Sequence, residues 1–271
     1  MSRLNKALDR IKTKGVPERQ RVQPLKSHRR ERSLNGIQIE DPISKSIRNV
    51  VLAEETLNDN HLISALIDPT VRTSYKMLRT RILQIMQANN WQSIAVTSAS
   101  QGDGKTVTAI NLAISMAGDV NHNVCLVDLD LRHSSVSRYL DIEVDVGISD
   151  CLTKDLPLEQ AMIRPNIDRL VVLPNARMET HSSELLSSPK MHVICEQLSA
   201  DPSRIIIYDM PPILAADDML AFKDNTDAIL FVVSEGVTSR MDALRARELM
   251  EDLNVVGTVL NRSDEKTASY Y

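Results

Sequence analysis

Residues 92–106 read Gln92-Ser-Ile-Ala-Val-Thr-Ser-Ala-Ser-Gln-Gly-Asp-Gly-Lys-Thr106, and this stretch decides the fold. Ser93–Thr97 is an apolar, β-branched run of the kind that forms a buried strand. Ala99–Thr106 follows the phosphate-loop spacing G-x-x-x-x-G-K-[ST], with Ala99 in place of the first glycine. Val107–Ala117 contains neither glycine nor proline and is predicted to be a helix, whose positive N-terminal end faces bound phosphates. The plainer alternative is a glycine-rich turn from strand to helix.

The predicted loop supplies phosphate-binding groups. Gly102 and Gly104 let the backbone bend so that its N–H groups point into one concavity. In this motif the Lys105 side chain reaches the β- and γ-phosphates, and the Thr106 hydroxyl ligates Mg²⁺. We therefore expect nucleotide contacts from one continuous run: Gln101, Gly102, Asp103, Gly104, Lys105, Thr106 and Val107.

Two further apolar strands end in carboxylates. Asp128 ends the run 124–128 and Asp130 lies two residues beyond it, while Asp209 follows the run 204–208. Ligands of an open parallel sheet bind beyond the carboxyl ends of its strands, so these side chains should converge beside the phosphate loop. An aspartate after a strand is more often a cap or turn residue when it stands alone. Together with the loop, the three predict an ATPase or kinase site, with Mg²⁺ held by Thr106, Asp128 and Asp209.

Strands and helices alternate after the phosphate loop, which predicts an α/β fold of the P-loop NTPase type, with a mainly parallel sheet flanked by helices. The predicted helices include Val71–Ala88, Glu184–Leu198 and Ser239–Leu253. The last strand is Val255–Leu260. Strands this apolar are expected to be buried on both faces.

Charge and composition divide the chain into four parts. Residues 1–36 hold eleven Lys or Arg and three Asp or Glu, a net charge of +8; the whole chain carries −4, so the rest carries −12. We interpret 1–36 as a basic flexible arm, 37–88 as a helical lead-in, 89–262 as the core and 263–271 as a mobile tail. A basic arm on an acidic body can bind anionic lipid, nucleic acid or an acidic partner.

The composition argues against several classes of protein. Aromatic residues make up only 3% of the chain, which disfavours a stacking platform for single-stranded nucleic acid. The three cysteines are widely spaced and show neither a zinc-ligand pattern nor a disulfide framework. No apolar run approaches the roughly 20 residues that span a bilayer. We expect a cytoplasmic protein that meets the inner face of the membrane peripherally, and no nucleic-acid partner.

From about Val71 onward the chain resembles the bacterial tyrosine kinases, the cytoplasmic autokinases of capsule and exopolysaccharide export. Three site segments carry the resemblance: Ala99–Thr106, Asp128-x-Asp-x-Arg132 and Asp209-x-Pro-Pro212. Three further segments support it: His181-Ser-Ser-Glu-Leu-Leu-Ser-Ser-Pro189, Gly236-Val-Thr238 and Gly257-Thr-Val-Leu-Asn261.

The resemblance implies roles for individual residues. Asp128, with Asp130 beside it, would accept the proton of a tyrosine hydroxyl, whose pKa near 10 requires a base as the new bond forms. Asp209 would help to hold Mg²⁺, and Asn261 would lie near the adenine of ATP. For Arg132 two interpretations stay open: contact with phosphate or the aspartates, or a surface ion pair.

The resemblance also implies the acceptor and the partners. Family members end in several tyrosines, whereas this chain ends in Tyr270 and Tyr271, since Tyr75, Tyr139 and Tyr208 fall within apparent core elements. The expected partners are a membrane polysaccharide co-polymerase that determines chain length and further copies of the same chain. In the Glu-x-x-Arg-x-x-Arg helix that joins subunits in this family, the aligned positions here lack the acidic member: Thr73, Lys76 and Arg79.

Two other functions remain as alternatives. One is a ParA/MinD-like ATPase switch, although Ser100 occupies the position where those ATPases carry an extra lysine. The other is a nucleotide-binding scaffold without phosphotransfer, which the short tyrosine tail favours.

Overall fold

The computed structural model of the chain describes residues 47–64 and 67–263, so the predicted arm 1–36 and the tail from 264 onward lie outside the described residues. Within the described part, eight strands are present: β1 (Arg48–Val50), β2 (Ser93–Ser98), β3 (Asn123–Asp128), β4 (Ile163–Pro165), β5 (Leu170–Leu173), β6 (Arg204–Asp209), β7 (Ala228–Ser234) and β8 (Val255–Asn261). Ten α-helices accompany them there: α1 (Glu54–Asp59), α2 (Pro69–Asn89), α3 (Lys105–Ala117), α4 (Val136–Leu140), α5 (Ile148–Lys154), α6 (Leu158–Ala161), α7 (Ser182–Leu186), α8 (Pro189–Leu198), α9 (Asp218–Phe222) and α10 (Arg240–Leu249).

The strands form one sheet in the order β1-β4-β5-β3-β6-β2-β7-β8. Neighbours from β5 to β8 in this order are parallel, whereas β4 runs antiparallel to β5 and β1 runs parallel to β4. The prediction of a mainly parallel sheet is confirmed. Because β2, β3 and β6 are adjacent and parallel, their carboxyl ends meet at one edge, where Asp209 pairs with Val96 on one side and Asp128 on the other.

Both faces of the central strands are buried. All six residues of β2 are buried, and its side chains alternate between two apolar clusters. Ile94 and Val96 pack with α2 and α3, while Ala95 packs on the opposite side with α5 and α8. Helices on both faces are the arrangement that apolar parallel strands require.

Helix α2 confirms the helix predicted from Val71 to Ala88. Asp68 caps its N-terminus by accepting a hydrogen bond from the Thr70 N–H at 2.7 Å, and Ile82 and Met86 are buried against the core. Arg79 turns inward and donates to the carbonyl of Ser115 on α3 at 2.8 Å. No helix in the described part of the chain combines the length and apolarity needed to cross a bilayer.

The single helix predicted over Glu184–Leu198 is wrong, because two helices, α7 and α8, occupy this stretch. Pro189 has no N–H to continue the helical ladder and instead takes the first position of α8. Ser188 caps α8 by accepting a bond from the Met191 N–H at 3.2 Å. The helix predicted to reach Leu253 likewise ends earlier, at Leu249.

The strands at the two ends of the sheet depart from the prediction. Among the described strands β8 neighbours only β7, and residues Val255 and Leu260 are 41% and 54% exposed. The expectation that β8 is buried on both faces is therefore wrong. At the opposite end β1 pairs with β4. β1 falls within 37–88, so the interpretation of that part as a helical lead-in is wrong for residues 48–50, whereas α1 and α2 are helices as expected.

Candidate active site

The phosphate loop lies between β2 and α3 and has the predicted backbone geometry. Gly102 and Gly104 both adopt positive φ angles, 87° and 89°, which L side chains rarely tolerate. A Cβ on Gly104 would also fall 2.0 Å from Nδ2 of Asn261. Position 104 thus requires glycine for both conformation and space, and Asn261 is brought against the loop.

The side chain of Asp103, which is predicted as a nucleotide contact, instead points into the protein. Its carboxylate is fully buried and accepts hydrogen bonds from the Ser100 N–H at 2.9 Å and the Thr238 hydroxyl at 2.6 Å. Its backbone carbonyl accepts a bond from the Asn261 amide at 3.0 Å. The Asp103 side chain therefore stabilises the phosphate loop by linking it to Thr238. Sequence reasoning missed Thr238, although its Gly-Val-Thr segment carried part of the family resemblance.

We expect Thr238→Val to lower both the thermal unfolding midpoint and the affinity for nucleotide. The substitution removes a donor to a buried carboxylate, a bond worth about 1.5–3 kcal/mol. Differential scanning fluorimetry and nucleotide titration measure the two effects. Thr238→Ser, which keeps the hydroxyl, should retain both properties; equal losses in the serine and valine variants would contradict the stabilising role.

Lys105, Thr106 and the carboxylates converge as predicted. The Lys105 ammonium lies 2.9 Å from Asp130 and 3.4 Å from Asp209. The Thr106 hydroxyl donates to Asp209 at 2.7 Å. These side chains come from α3, β6 and the loop after β3, so the strand order of the sheet assembles the cluster.

Asp128 lies in the same cluster but is held by protein donors. Its Oδ2 atom accepts bonds from the Ser134 hydroxyl at 2.7 Å, the Ser135 N–H at 3.1 Å and the Val136 N–H at 3.0 Å. Ser134 also lies 3.1 Å from the carbonyl oxygen of Asn175. Asp128 thereby fixes the segment that leads into α4.

Burial governs the charges of this cluster. Desolvation, followed by repulsion from Asp209, raises the pKa of Asp128 to about 7. Desolvation also raises the pKa of Asp209, although Lys105 and Thr106 oppose the shift. Burial alone would lower the pKa of Lys105, but attraction to Asp209 and Asp130 outweighs it and raises that pKa. Three carboxyl groups thus share one lysine, and a divalent cation here would stabilise their ionised forms against the cost of burial.

The donor set is compatible with Mg²⁺ at Thr106 and Asp209. The Thr106 hydroxyl and the Asp209 carboxylate lie 2.7 Å from each other beside the phosphate loop. Both are hard oxygen ligands of the kind that Mg²⁺ uses together with water and phosphate oxygens. The predicted third ligand, Asp128, has its Oδ2 atom occupied by three donors. No group of three or more His, Cys, Asp or Glu residues with the arrangement of a metal site occurs among the described residues.

An open cavity of about 1850 Å³ lies over the cluster. The phosphate loop and Asn261 form part of its lining, and Asp130 forms another part. Asp128 and Asp209 are fully buried and do not line it. Of the three predicted carboxylates, Asp130 is therefore the one that a substrate in the cavity meets.

Arg132 is not brought to the cluster. Its Nε atom donates to the Ser182 hydroxyl at 2.7 Å, and its guanidinium lies 3.6 Å from the Asp218 carboxylate. Ser182 donates in turn to Asp218 at 2.8 Å. In this arrangement Arg132 makes no catalytic contact among the described residues. Its side chain links the loop after β3 to Ser182 on α7 and Asp218 on α9.

The tyrosines divide into three groups. Tyr270 and Tyr271 lie outside the described residues. Tyr208 is fully buried, where its ring packs edge-on against Phe222. Tyr75 and Tyr139 lie on α2 and α4, as expected for core elements, but their side chains are only half-buried and line the cavity. Burial thus excludes Tyr208 as an acceptor but does not exclude Tyr75 or Tyr139.

Comparison with known proteins places this site in a class. Residues 94–270 match the model of the CobQ/CobB/MinD/ParA nucleotide binding domain. The fold is similar to that of the kinase domain of Escherichia coli tyrosine kinase ETK, with a TM-score of 0.68, 20% identity and coverage of 83% of this chain and 92% of the other. It is also similar to MinD from Pyrococcus horikoshii OT3, with a TM-score of 0.54, 22% identity and coverage of 64% and 72%. The chain belongs to this class of nucleotide-binding domains.

The proteins that are similar in sequence define a more specific family within this class. Tyrosine-protein kinase YwqD of Bacillus subtilis is 32% identical over 189 residues, which span 69% of this chain and 79% of that protein. Tyrosine-protein kinase CpsD of Streptococcus agalactiae serotype III is 28% identical over 180 residues, 65% of this chain and 77% of that protein. Within the class, the chain belongs to the bacterial tyrosine-protein kinase family.

Proposed function

We propose that this protein is an ATP-dependent protein-tyrosine autokinase that transfers the γ-phosphate of ATP to Tyr270 and Tyr271. The observation that carries the proposal is the cluster itself: Lys105 of a formed phosphate loop is ion-paired with Asp130 at the wall of a cavity large enough for a nucleotide and a peptide segment. The family membership supports the same activity.

The transfer forms one P–O bond and breaks one P–O bond. The tyrosine oxygen forms a bond to the γ-phosphorus, the bond from that phosphorus to the β–γ bridging oxygen breaks, and ADP leaves with the electron pair. The hydroxyl proton passes to the aspartates at the end of β3. Lys105 and the loop amides stabilise the charge on the transferred group. Mg²⁺, held by Thr106 and Asp209, would supply further neutralisation of the phosphate oxygens.

We expect Asp130→Asn to slow phosphotransfer more than it weakens nucleotide binding, because Asp130 lines the cavity and Asn cannot accept a proton at neutral pH. The loss should be about 10²-fold or more. Asp128→Asn should also reduce transfer, and it should lower the unfolding midpoint as well, since a neutral amide is a weaker acceptor for three donors. Single-turnover rates and thermal unfolding of both variants measure this. If Asp130→Asn transferred phosphate at the wild-type rate, the Asp130 carboxylate would not be the proton acceptor.

The cellular role follows from the family resemblance. We place the kinase in the control of exopolysaccharide or capsule polymerisation or export, with a membrane co-polymerase as its partner and with self-association. The net charge of +8 on residues 1–36 supports a peripheral contact of that arm with an anionic membrane at the cytoplasmic face.

Incubation of the purified chain with Mg·ATP, followed by intact-mass and peptide analysis, tests the proposal. The expected result is phosphate on Tyr270 and Tyr271. ATP hydrolysis without phosphate on protein would favour the ATPase switch, and nucleotide binding without either reaction would favour the scaffold.

A further inference from the structure

The cavity has a second wall that the phosphotransfer described above does not use. It consists of the segment from His133 to Arg138 and the segment from Asn175 to Met178. The Met178 side chain is 76% exposed there. The Ser135 hydroxyl lies 3.2 Å from that of Thr106, and the Ser134 hydroxyl donates to Asp128, so this wall borders the reacting groups.

Two arginines give this wall a positive charge. Arg138 and Arg177 both line the cavity and are exposed. Arg138 lies over the ring of Tyr139 at 5.5 Å and has no carboxylate partner within 4 Å in the described part of the chain. Arg177 lies 3.4 Å from Asp150, but that carboxylate is shared with Lys154 at 2.6 Å. The carboxylates in the cavity lining are Asp59, Asp68 and Asp130, and none pairs with either arginine in the described residues.

Both arginines are placed close to the reacting groups by bonds already described. Arg138 is two residues beyond Val136, whose N–H binds Asp128. Arg177 is two residues beyond Asn175, whose carbonyl oxygen lies 3.1 Å from the Ser134 hydroxyl that binds Asp128. Two residues of chain span at most roughly 7 Å. The backbone of each arginine is therefore held within roughly 16 Å of the Asp128 carboxylate.

A buried orphan acceptor lies in the same wall. Asn175 is 2% exposed, and its Oδ1 atom has no hydrogen-bond partner in the part of the chain that the structure describes. Its Nδ2 atom is satisfied by the carbonyl of Arg177 at 2.5 Å. An unpaired buried acceptor costs free energy, and a donor that reached it on binding would recover part of that cost.

We propose that Arg138 and Arg177 form a phosphotyrosine subsite, in which the first modified tyrosine of the C-terminal segment 264–271 is held while its neighbour reacts. Tyr270 and Tyr271 are adjacent, and the hydroxyls of adjacent tyrosines in an extended segment lie roughly 10–15 Å apart on opposite sides. One hydroxyl can then reach Asp130 while a phosphate on the other meets the arginines. Guanidinium groups bind phosphate in bidentate fashion, which favours this occupant.

The aspartates alone would make the phosphorylated C-terminal segment bind more weakly than the unmodified one, and the subsite reverses this order. Each phosphate adds about −1.5 to −2 charge, which the buried aspartates repel. With the arginines present, the singly phosphorylated segment binds more tightly than the unmodified one, so the second transfer is favoured. Each transfer forms one O–P bond, breaks one in ATP and passes one proton to the aspartates. This inference rests on the proposed function for its order of events, but its binding step does not require activity.

Peptide binding to the full chain tests the subsite directly. The probes are two synthetic peptides of residues 264–271, one unmodified and one with phosphate on Tyr271, titrated by fluorescence anisotropy without ATP. The phosphopeptide should bind about tenfold more tightly to the wild-type chain, and Arg138→Gln/Arg177→Gln should abolish that gain. Lys105→Met should preserve it, which excludes binding of the phosphate in the phosphate loop. Arg245→Gln, on the exposed face of α10, is the matched charge control.

Two outcomes overturn the proposal: equal binding of both peptides, or a gain that survives in Arg138→Gln/Arg177→Gln. A companion time course of intact mass, with the Lys105→Met chain as acceptor, should show doubly phosphorylated product rising early with wild-type enzyme. Singly phosphorylated product should accumulate with the glutamine variant. A wild-type enzyme that adds no phosphate contradicts the proposed function, whereas the peptide titration still decides the subsite.

Discussion

The Lys105→Met chain is expected to autophosphorylate at least about 100-fold more slowly than wild type, the loss that follows removal of one preorganised charge from a transition state. Lys105 is the cation of the phosphate loop and forms ion pairs with Asp130 and Asp209. Methionine keeps the length and the aliphatic packing of the buried side chain. The loss should therefore reflect the missing charge rather than a cavity.

The same substitution should make stability more sensitive to pH. The pKa of Asp128 is raised from 3.8 to about 7 by burial and by Asp209, and that of Asp209 is raised as well. A carboxyl whose folded pKa is raised contributes stability at pH values below its unfolded pKa, and this contribution is lost as the pH rises through the folded value. Without Lys105 both shifts grow, so the unfolding midpoint should fall further at pH 8 than at pH 5.5.

Lys190→Met is the matched control. Lys190 forms an ion pair with Asp155 away from the cavity. This variant should keep wild-type autophosphorylation and show the wild-type dependence of the unfolding midpoint on pH. Phosphate incorporation by Lys105→Met at the wild-type rate would remove the phosphate-loop assignment.

Local pattern was sufficient for the centre of the fold and of the site. The phosphate loop is contiguous, and the carboxyl ends of parallel strands lie at one edge of the sheet, so Asp128, Asp130 and Asp209 could be assigned to the edge that carries Lys105. Their convergence into one cluster depends in addition on β3, β6 and β2 being neighbours. The exposure of β8 could not be predicted in this way. It depends on β8 being the last strand in the sheet, and strand order is a property of the whole topology.

The sequence also left the direction of individual side chains undecided. Asp103 lies within the nucleotide-binding run, but its carboxylate turns to Thr238, a residue 135 positions away. Arg132 lies within the carboxylate motif, but its guanidinium turns to Ser182 and Asp218. Both outcomes depend on partners that long-range folding brings close, and short motifs contain no information about such partners.

We expect Tyr270→Phe/Tyr271→Phe to remove most autophosphorylation while nucleotide affinity stays at the wild-type value. Phenylalanine lacks the oxygen that forms the new bond to phosphorus, and neither tyrosine belongs to the phosphate loop. The segment that carries them follows Ser263, which lines the same cavity as Asp130. Residues 263–271 span at most roughly 30 Å when fully extended, so the tyrosines can reach a cavity of their own chain or of a neighbouring copy.

The double variant has to be compared with the tyrosines of the cavity wall, because Tyr75 and Tyr139 line the same cavity and are only half-buried. Tyr75→Phe and Tyr139→Phe should each incorporate phosphate on residues 270 and 271 as wild type does. Peptide mapping after incubation with Mg·ATP separates the sites. Phosphate at the wild-type level in Tyr270→Phe/Tyr271→Phe, mapped to Tyr75 or Tyr139, would move the acceptor from the C-terminal segment to the cavity wall and leave the nucleotide site as described.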